Sequence, residues 1–264
     1  MHSTTDPERA DAAPAWSADE LSTDVHTNAQ KADKVRRMFA SIAHAYDLNN
    51  RLHSFGRDGA WRRCAVRMAG VRDGEHVLDV ACGTGELTRA FARTGAGRIV
   101  GADYTGEMLD IARAKPPAQR VDDAEARIEY VQADAMALPF DDASFDVVSI
   151  AFGIRNVAEP RLALAEFHRV LRPGGRLVVL EFDTPRFPPI AWANRVYTGW
   201  VMPRTATWIS RDRSGAYAYL PKSVGAFATR EALSGLIGSV GFVETTMKPL
   251  TFGVCVCHRG VRAG

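Results

Sequence analysis

HVLDVACGTGELTRAFAR, residues 76–93, decides the fold. HVLDVA (76–81) is a compact apolar run that closes on an acid and small residues, the pattern of a strand buried on both faces. Cys82-Gly-Thr-Gly85 reads as a turn, and Glu86 to Arg93 as a helix. Strand, glycine turn and helix together open an α/β unit. Downstream the alternation repeats. RIVGAD (98–103) is a strand followed by a helix from about Thr105 to Ala114. IEYVQAD (128–134) and FDVVSIAF (145–152) are strands, and Pro160 to Leu171 is a helix. After the turn Pro173-Gly-Gly175, RLVVLEF (176–182) is the fifth strand. A helix (229–240) and strands near 241–247 and 252–257 finish the chain. Upstream, Val35, Met38, Phe39, Ile42 and Ala43 fall on one face of a helix over Lys31–Tyr46, and a short helix covers Gly59–Ala69. This order predicts an α/β fold: a mostly parallel sheet with helices on both faces.

Charge is divided unevenly. The 264 residues carry a net +2, too little to argue for nucleic acid. Residues 1–30 hold six acids and one base, so they carry −5 and the rest +7. That stretch has no apolar periodicity and reads as a disordered acidic extension. It lacks the apolar run of a secretory signal and the Arg-rich, acid-poor character of a transit peptide. No run of 18 apolar residues predicts a membrane span. Cys64, Cys82, Cys255 and Cys257 have no zinc-type spacing, so no metal is expected. Cys255 and Cys257 alternate on one strand face and read as core packing in a reducing compartment.

The Gly loop after the first strand sits where open α/β sheets bind ligands. Glycines there admit a ligand close to the backbone. A GxG alone also fits a dinucleotide site. Asp79, four residues ahead of Gly83, suits a cationic ligand and would repel a pyrophosphate. Thr88 replaces the third small residue of the dinucleotide fingerprint. Asp103 ends the second strand, placed to accept ribose hydroxyls, and Asp134 ends the third, placed for an adenine amino group. The competing reading of each such acid is a helix cap or turn.

VLDVACGTGELT, GADYTGEML, DAMALPFDDASFDVV and RVLRPGGRLVVLEF resemble the class I S-adenosylmethionine-dependent methyltransferases. The likeness extends to Val35-x-x-Met-Phe39-x-x-Ile42-Ala43-x-x-Tyr46-Asp47-x-x-Asn50, Ser54-Phe-Gly56, Trp61-Arg62, Phe152-Gly-Ile-Arg-Asn-Val157 and Tyr217-x-Tyr-Leu-Pro-x-Ser223. On these the chain is similar to the quinone-biosynthesis C-methyltransferases over about residues 31–260. The resemblance implies a class I methyltransferase Rossmann-like sheet with an antiparallel C-terminal strand, forming a single domain over 31–260. Residues 31–70 would be an N-terminal helical cap and 183–225 an acceptor-side insertion. It also implies S-adenosylmethionine as cofactor, held by Asp79, Gly83, Thr84, Gly85, Asp103, Tyr104, Met108, Asp134, Ala135 and Ala151. The acceptor would be a prenylated quinol, demethylmenaquinol or a demethylated ubiquinol precursor. The chain departs from the family pattern at Asn49, where Met is usual, at Asp58, where His is usual, and at Glu86, commonly Asp. The first two keep another small acceptor open.

Carbon methylation needs the ring carbon in line with the sulfonium methyl, and positioning alone supplies roughly 7–11 kcal/mol of such a barrier. A guanidinium near the ring hydroxyl would stabilise a phenolate. Arg155, after the fourth strand, is the candidate, with Asn156 as hydrogen-bonding partner and Tyr46 as a second group for the ring hydroxyl. The competing readings are a structural ion pair for Arg155 and a core aromatic for Tyr46. Residues 186–222 combine Arg186, Arg195, Arg204, Arg211, Arg213 and Lys222 with one acid, three Trp and three Tyr. That mixture suits a lipid interface, against which stands an ordinary lid or dimer surface. The expectation is a cytoplasmic protein in peripheral contact with the inner face of the membrane, with a homodimer left open.

Overall fold

The computed structural model describes residues 14–17, 19–22, 25–26, 28, 30–116, 118–119, 125–126, 128–210, 212 and 214–264. Its centre is a seven-stranded sheet. The strands are β1 (His76–Val80), β2 (Arg98–Asp103), β3 (Ile128–Gln132), β4 (Phe145–Ala151), β5 (Leu171–Phe182), β6 (Phe242–Leu250) and β7 (Cys255–Arg262). Their order is β3-β2-β1-β4-β5-β7-β6. All neighbours pair in parallel except β7, which runs antiparallel to both β5 and β6. Leu171 pairs with Phe145 and Arg176 with Val147. The expected Pro173-Gly-Gly turn therefore bulges out of β5 instead of preceding it, with Gly174 at φ 75°.

Both faces of the sheet are buried, which is why its strands read as unbroken apolar runs rather than alternating ones. Val77, Val147, Val178 and Leu180 pack against Trp61, Ala65, Leu87 and Phe91. Their neighbours Leu78, Val148, Leu177 and Val179 pack on the opposite side against Leu164, Phe167, Leu233 and Ile237. The first set of partners lies on α3 (Asp58–Ala69) and α4 (Glu86–Phe91), the second on α6 (Pro160–Val170) and α10 (Arg230–Ser239). Each such fully buried side chain contributes roughly 1.5–3 kcal/mol. Cys255 and Cys257 are free and buried in the first core, as packing residues.

A helical layer lies over the carboxyl edge of the sheet. It consists of α1 (Lys31–Ile42), α2 (Tyr46–His53), α7 (Pro188–Val196), α8 (Met202–Ser210) and α9 (Ala216–Ala226), with α5 (Gly106–Ala114) beneath α1. The expected helix over Lys31–Tyr46 ends at Ile42, and Tyr46 starts the next. The segment after β5, which breaks the alternation in sequence, is helical. A π turn at Tyr197–Val201 joins α7 to α8.

The acidic extension is corrected in its second half. Ala15, Trp16, Leu21 and Val25 are buried against α1, α8 and α9. Trp16 stacks on Tyr219 with ring centroids 4.7 Å apart, and Glu20 pairs with Lys34 at 2.7 Å. Single anchoring side chains, not a periodic face, hold this stretch. Residues 1–13, 18, 23–24, 27 and 29 of the expected disordered extension lie outside the described residues.

Candidate active site

The chain runs outward from β1 through β2 to β3, then crosses back to β4 on the other side of β1. The gap between β1 and β4 is the topological switch point, where open α/β sheets bind ligands. Here both strands end under strain: Ala81 has φ 51° and Phe152 φ 57°, beside Gly83 at 56°. Left-handed backbone at non-glycine residues costs about 1–3 kcal/mol each and concentrates at functional sites.

A cavity opens at this point. Its sheet-side wall holds Ala81, Gly83, Asp103, Tyr104, Met108, Asp134, Ala135 and Ala151, and its roof is Val35, Arg36 and Phe39 of α1. Seven of the ten residues expected to hold the cofactor thus share one cavity. Asp103 is the last residue of β2. Its carboxylate accepts the Gly83 amide at 2.7 Å and the Thr105 amide at 2.8 Å. Burial pushes its pKa up, against the pull of those N–H groups. Each carboxylate oxygen keeps a second lone pair, enough for a vicinal diol. Met108, Ala135 and Met136 supply an apolar slot beside Asp134, which suits a nucleobase.

Asp79, Thr84 and Gly85 do not line the cavity. Asp79 is 1% exposed, and its two oxygens accept the hydroxyls of Thr88 at 2.6 Å and Ser149 at 2.7 Å. Burial raises its pKa to about 6 despite those bonds. It ties α4 and β4 to β1. Position keeps it off the cavity wall: Asp79 lies two residues short of the rim residue Ala81. The Thr84 hydroxyl donates to Asp47 at 2.5 Å. Lys115 bridges Asp47 and Glu86 at 2.7 Å each, fastening α2 to the glycine loop. Gly85 caps α4 at φ 80°, and a Cβ there would lie 2.5 Å from the Tyr130 hydroxyl.

A second cavity of about 1150 Å³ adjoins the first, sharing Phe39, Tyr46 and Phe152 with it. Its walls come from α1, α2, α3, α7 and α9, and most of its lining is apolar. Tyr46 therefore stands at the junction. Burial raises its pKa, against a hydrogen bond from Asn50 and the charges of Arg62 and Arg155. Arg155 lines the larger cavity and is 2% exposed. It pairs with buried Glu181 at 2.5 Å, donates to the Phe152 carbonyl at 2.8 Å and stacks over Phe182. The ion-pair reading of Arg155 is thus realised together with its place in the cavity wall. Asn156 faces the cofactor-side cavity instead. Its amide oxygen accepts from the Tyr219 hydroxyl at 3.0 Å and its nitrogen donates to the Phe152 carbonyl at 3.3 Å. Asp58 also faces the larger cavity. Burial pushes its carboxyl up, but Arg62 and Ser54 outweigh that and hold it below the ordinary value.

Sequence reasoning passed over Val35, Arg36 and Phe39 as wall residues. Their periodicity was visible, but an apolar helix face looks the same whether it covers a core or a ligand.

Residues 27–262 match the family described as the ubiE/COQ5 methyltransferase family. The ubiquinone/menaquinone biosynthesis C-methyltransferase of Erwinia tasmaniensis is 43% identical over 88% of this chain and 92% of its own length. The demethylmenaquinone methyltransferase of Thermus thermophilus is 46% identical over 85% of this chain and all of its own. Among solved structures, a chain of the Haloferax volcanii complex between the Trm112 methyltransferase activator and a methyltransferase superposes with a TM-score of 0.60 at 19% identity. That match covers 86% of this chain and 98% of the other, and it speaks to the fold.

Proposed function

The chain belongs to the ubiE/COQ5 methyltransferase family, and from that premise we propose that it moves a methyl group from S-adenosylmethionine to a ring carbon of a prenylated quinol. One observation carries the reading: a nucleoside-sized crevice at the switch point opens, past Tyr46 and Phe152, onto a large apolar cavity. When bound, S-adenosylmethionine supplies an electrophilic methyl group. Asp103 and Asp134 hold its polar groups, and Met108 and Ala135 its base. Tyr46 and Phe152 would flank the ring at the mouth between the cavities. Arg155, in the wall of the larger cavity, would stabilise negative charge on a ring oxygen. Helix α1 roofs the cofactor-side cavity. The Arg155 guanidinium is buried, where a charge counts for more than in water.

The tail would leave across α7 and α8. Phe187, Trp192, Trp200 and Trp208 are 62%, 62%, 63% and 82% exposed, beside Arg186, Arg195 and Arg204. Exposed indoles with guanidinium groups suit the headgroup region of an anionic bilayer. No helix of the described residues is long and apolar enough to cross one.

The test is transfer of label from radiolabelled S-adenosylmethionine into reduced demethylmenaquinol, with a demethylated ubiquinol precursor alongside. Label in the lipid fraction is expected. No label with either acceptor, from protein that binds S-adenosylhomocysteine, refutes the acceptor.

A further inference from the structure

Helix α9 is gripped from outside by the chain ahead of α1. Trp16 donates its amide to the Ser214 carbonyl at 3.1 Å, just before the helix begins. Its indole, 2% exposed, stacks on Tyr219. Lys222 donates to the Leu21 carbonyl, and His26 Nε2–H donates to the Ser223 carbonyl at 2.9 Å. Tyr219 and Lys222 stand three residues apart, on one face of the helix. Lys34 of α1 holds the same segment from the other side. Its ammonium donates to the Ala15 carbonyl at 3.2 Å, pairs with Glu20 at 2.7 Å and lies 5.6 Å from the Trp16 ring centre. Residues 14–17, 19–22 and 25–26 thus form a strap across α9. They stand ahead of residues 27–262, the span that matches the family.

The gripped helix touches two residues at the carboxyl edge of the sheet. The Tyr219 hydroxyl donates to Asn156 Oδ1 at 3.0 Å, and Ser223 Oγ accepts from Arg155 Nε at 3.4 Å. Asn156 lines the cofactor-side cavity, and Tyr219 and Arg155 line the larger one. Trp16 covers one face of the Tyr219 ring, and a rigid ring passes any tilt on to its hydroxyl. We infer that the strap, through Trp16, is a positioning element for methyl transfer: it fixes the pose of α9 and with it the placement of Asn156 and Arg155. This rests on the quinol reading above. A misplacement of about 1 Å, caused from afar, costs on the order of a hundred-fold in rate. The hydrogen bonds of Asp103 and Asp134 run to Gly83, Thr105 and Met136 instead, so cofactor binding should survive a loosened strap.

The experiment compares Trp16→Leu, Trp16→Phe and Tyr219→Phe with the unaltered full chain. The readouts are label transfer and, with S-adenosylhomocysteine bound, amide hydrogen exchange. Trp16→Leu should lower kcat roughly ten- to hundred-fold, with S-adenosylhomocysteine affinity unchanged. Trp16→Phe keeps an aromatic face and should restore most of kcat. Tyr219→Phe keeps the stack and loses only the hydroxyl, so it should lower kcat as well. Adding Trp16→Leu to it should then cost less than Trp16→Leu costs alone, because the two act along one route. Both Trp16→Leu and Tyr219→Phe should speed exchange at residues 154–157 and leave β1, β2 and β3 as they were. Parental kcat in either folded variant overturns the inference. So does a loss of S-adenosylhomocysteine affinity as large as the loss of kcat. If Trp16→Leu does not fold, Tyr219→Phe decides alone. If the unaltered protein labels neither quinol, the quinol reading falls, and unchanged exchange at 154–157 in the variants still overturns the strap.

Discussion

Arg155→Ala separates two roles that the structure gives to one side chain. Arg155 and Glu181 are each about 2% exposed and pair at 2.5 Å. Removing the guanidinium strands the Glu181 carboxylate, leaving only the Phe182 amide at 2.8 Å and the weak Arg155 amide contact at 3.4 Å to hold it. Breaking a buried pair in this way costs about 3–5 kcal/mol. For a chain of this length each kcal/mol lowers the melting temperature by roughly 2–4 °C, so a fall on the order of 10 °C is expected. The assay is thermal unfolding with S-adenosylhomocysteine present, beside label transfer at a temperature where the variant stays folded. Arg155→Met with Glu181→Gln removes both charges and keeps an acceptor for the Phe182 amide, so it should recover most of the loss. Transfer should stay abolished in the double variant if the guanidinium also faces the ring oxygen. A single variant that melts within a few degrees of the parent refutes the buried-pair reasoning. A double variant that regains transfer with stability refutes the electrostatic role.

Asp79 has a folded pKa near 6 against an ordinary value of 3.8. Its protonated form is the one favoured by folding, so the stability it contributes is full below about pH 4 and is lost as pH rises through 6, about 3 kcal/mol in all. Asp79→Asn should flatten that slope and raise the melting temperature at neutral pH, read by thermal scans from pH 4 to 8. Trp16→Ala should destabilise by about 3–5 kcal/mol, measured by urea unfolding, and a loss under 1 kcal/mol would show that the segment before α1 is not part of the core. Asp103→Ala should cost S-adenosylhomocysteine affinity at least ten-fold, by calorimetry, since two ribose hydroxyls lose a charged acceptor. Sedimentation with anionic vesicles at low salt should fall sharply when Trp192, Trp200 and Trp208 are replaced by Ala together, and failure of the parent protein to sediment would dismiss membrane contact.

The sheet was legible because burial on both faces writes strands as apolar runs, and glycine turns punctuate them. Asp103 was legible as a cavity-lining residue for a related reason: it is the last residue of its strand, so it stands at the rim. Asp79 looked equivalent but is not. Val80 still follows in β1 and Ala81 forms the rim, and the carboxylate turns sideways onto Thr88 and Ser149. Neither hydroxyl is near it in sequence, so no local pattern betrays the pairing. Trp16 was invisible as an anchor because one indole in an acidic, aperiodic stretch carries no repeat to detect. The Arg155–Glu181 pair spans 26 residues and two elements, and only the sheet register brings them together.

The two cavities are built from different kinds of structure, and that difference says where this chain is free to vary. The cofactor-side wall is built from strand ends, whose positions are set by paired backbone and two packed cores. Moving Asp103 or Ala151 there would mean moving β2 or β4. The acceptor-side wall is built from helix faces on α2, α7 and α9, where one side chain can be exchanged without shifting a strand. Two of the three departures from the family pattern, Asn49 and Asp58, fall on this second wall. Asn49 has its amide nitrogen anchored to Tyr217, and Asp58 is neutralised by Arg62. A polar group introduced into a largely apolar cavity is expensive unless it is paired. Of the two, only Asn49 keeps a side-chain atom without a hydrogen-bond partner among the described residues. Any change in acceptor preference relative to the relatives should therefore map to Asn49 first. Exchanging Asp58 for His should alter the Arg62 contact and stability more than the choice of ring.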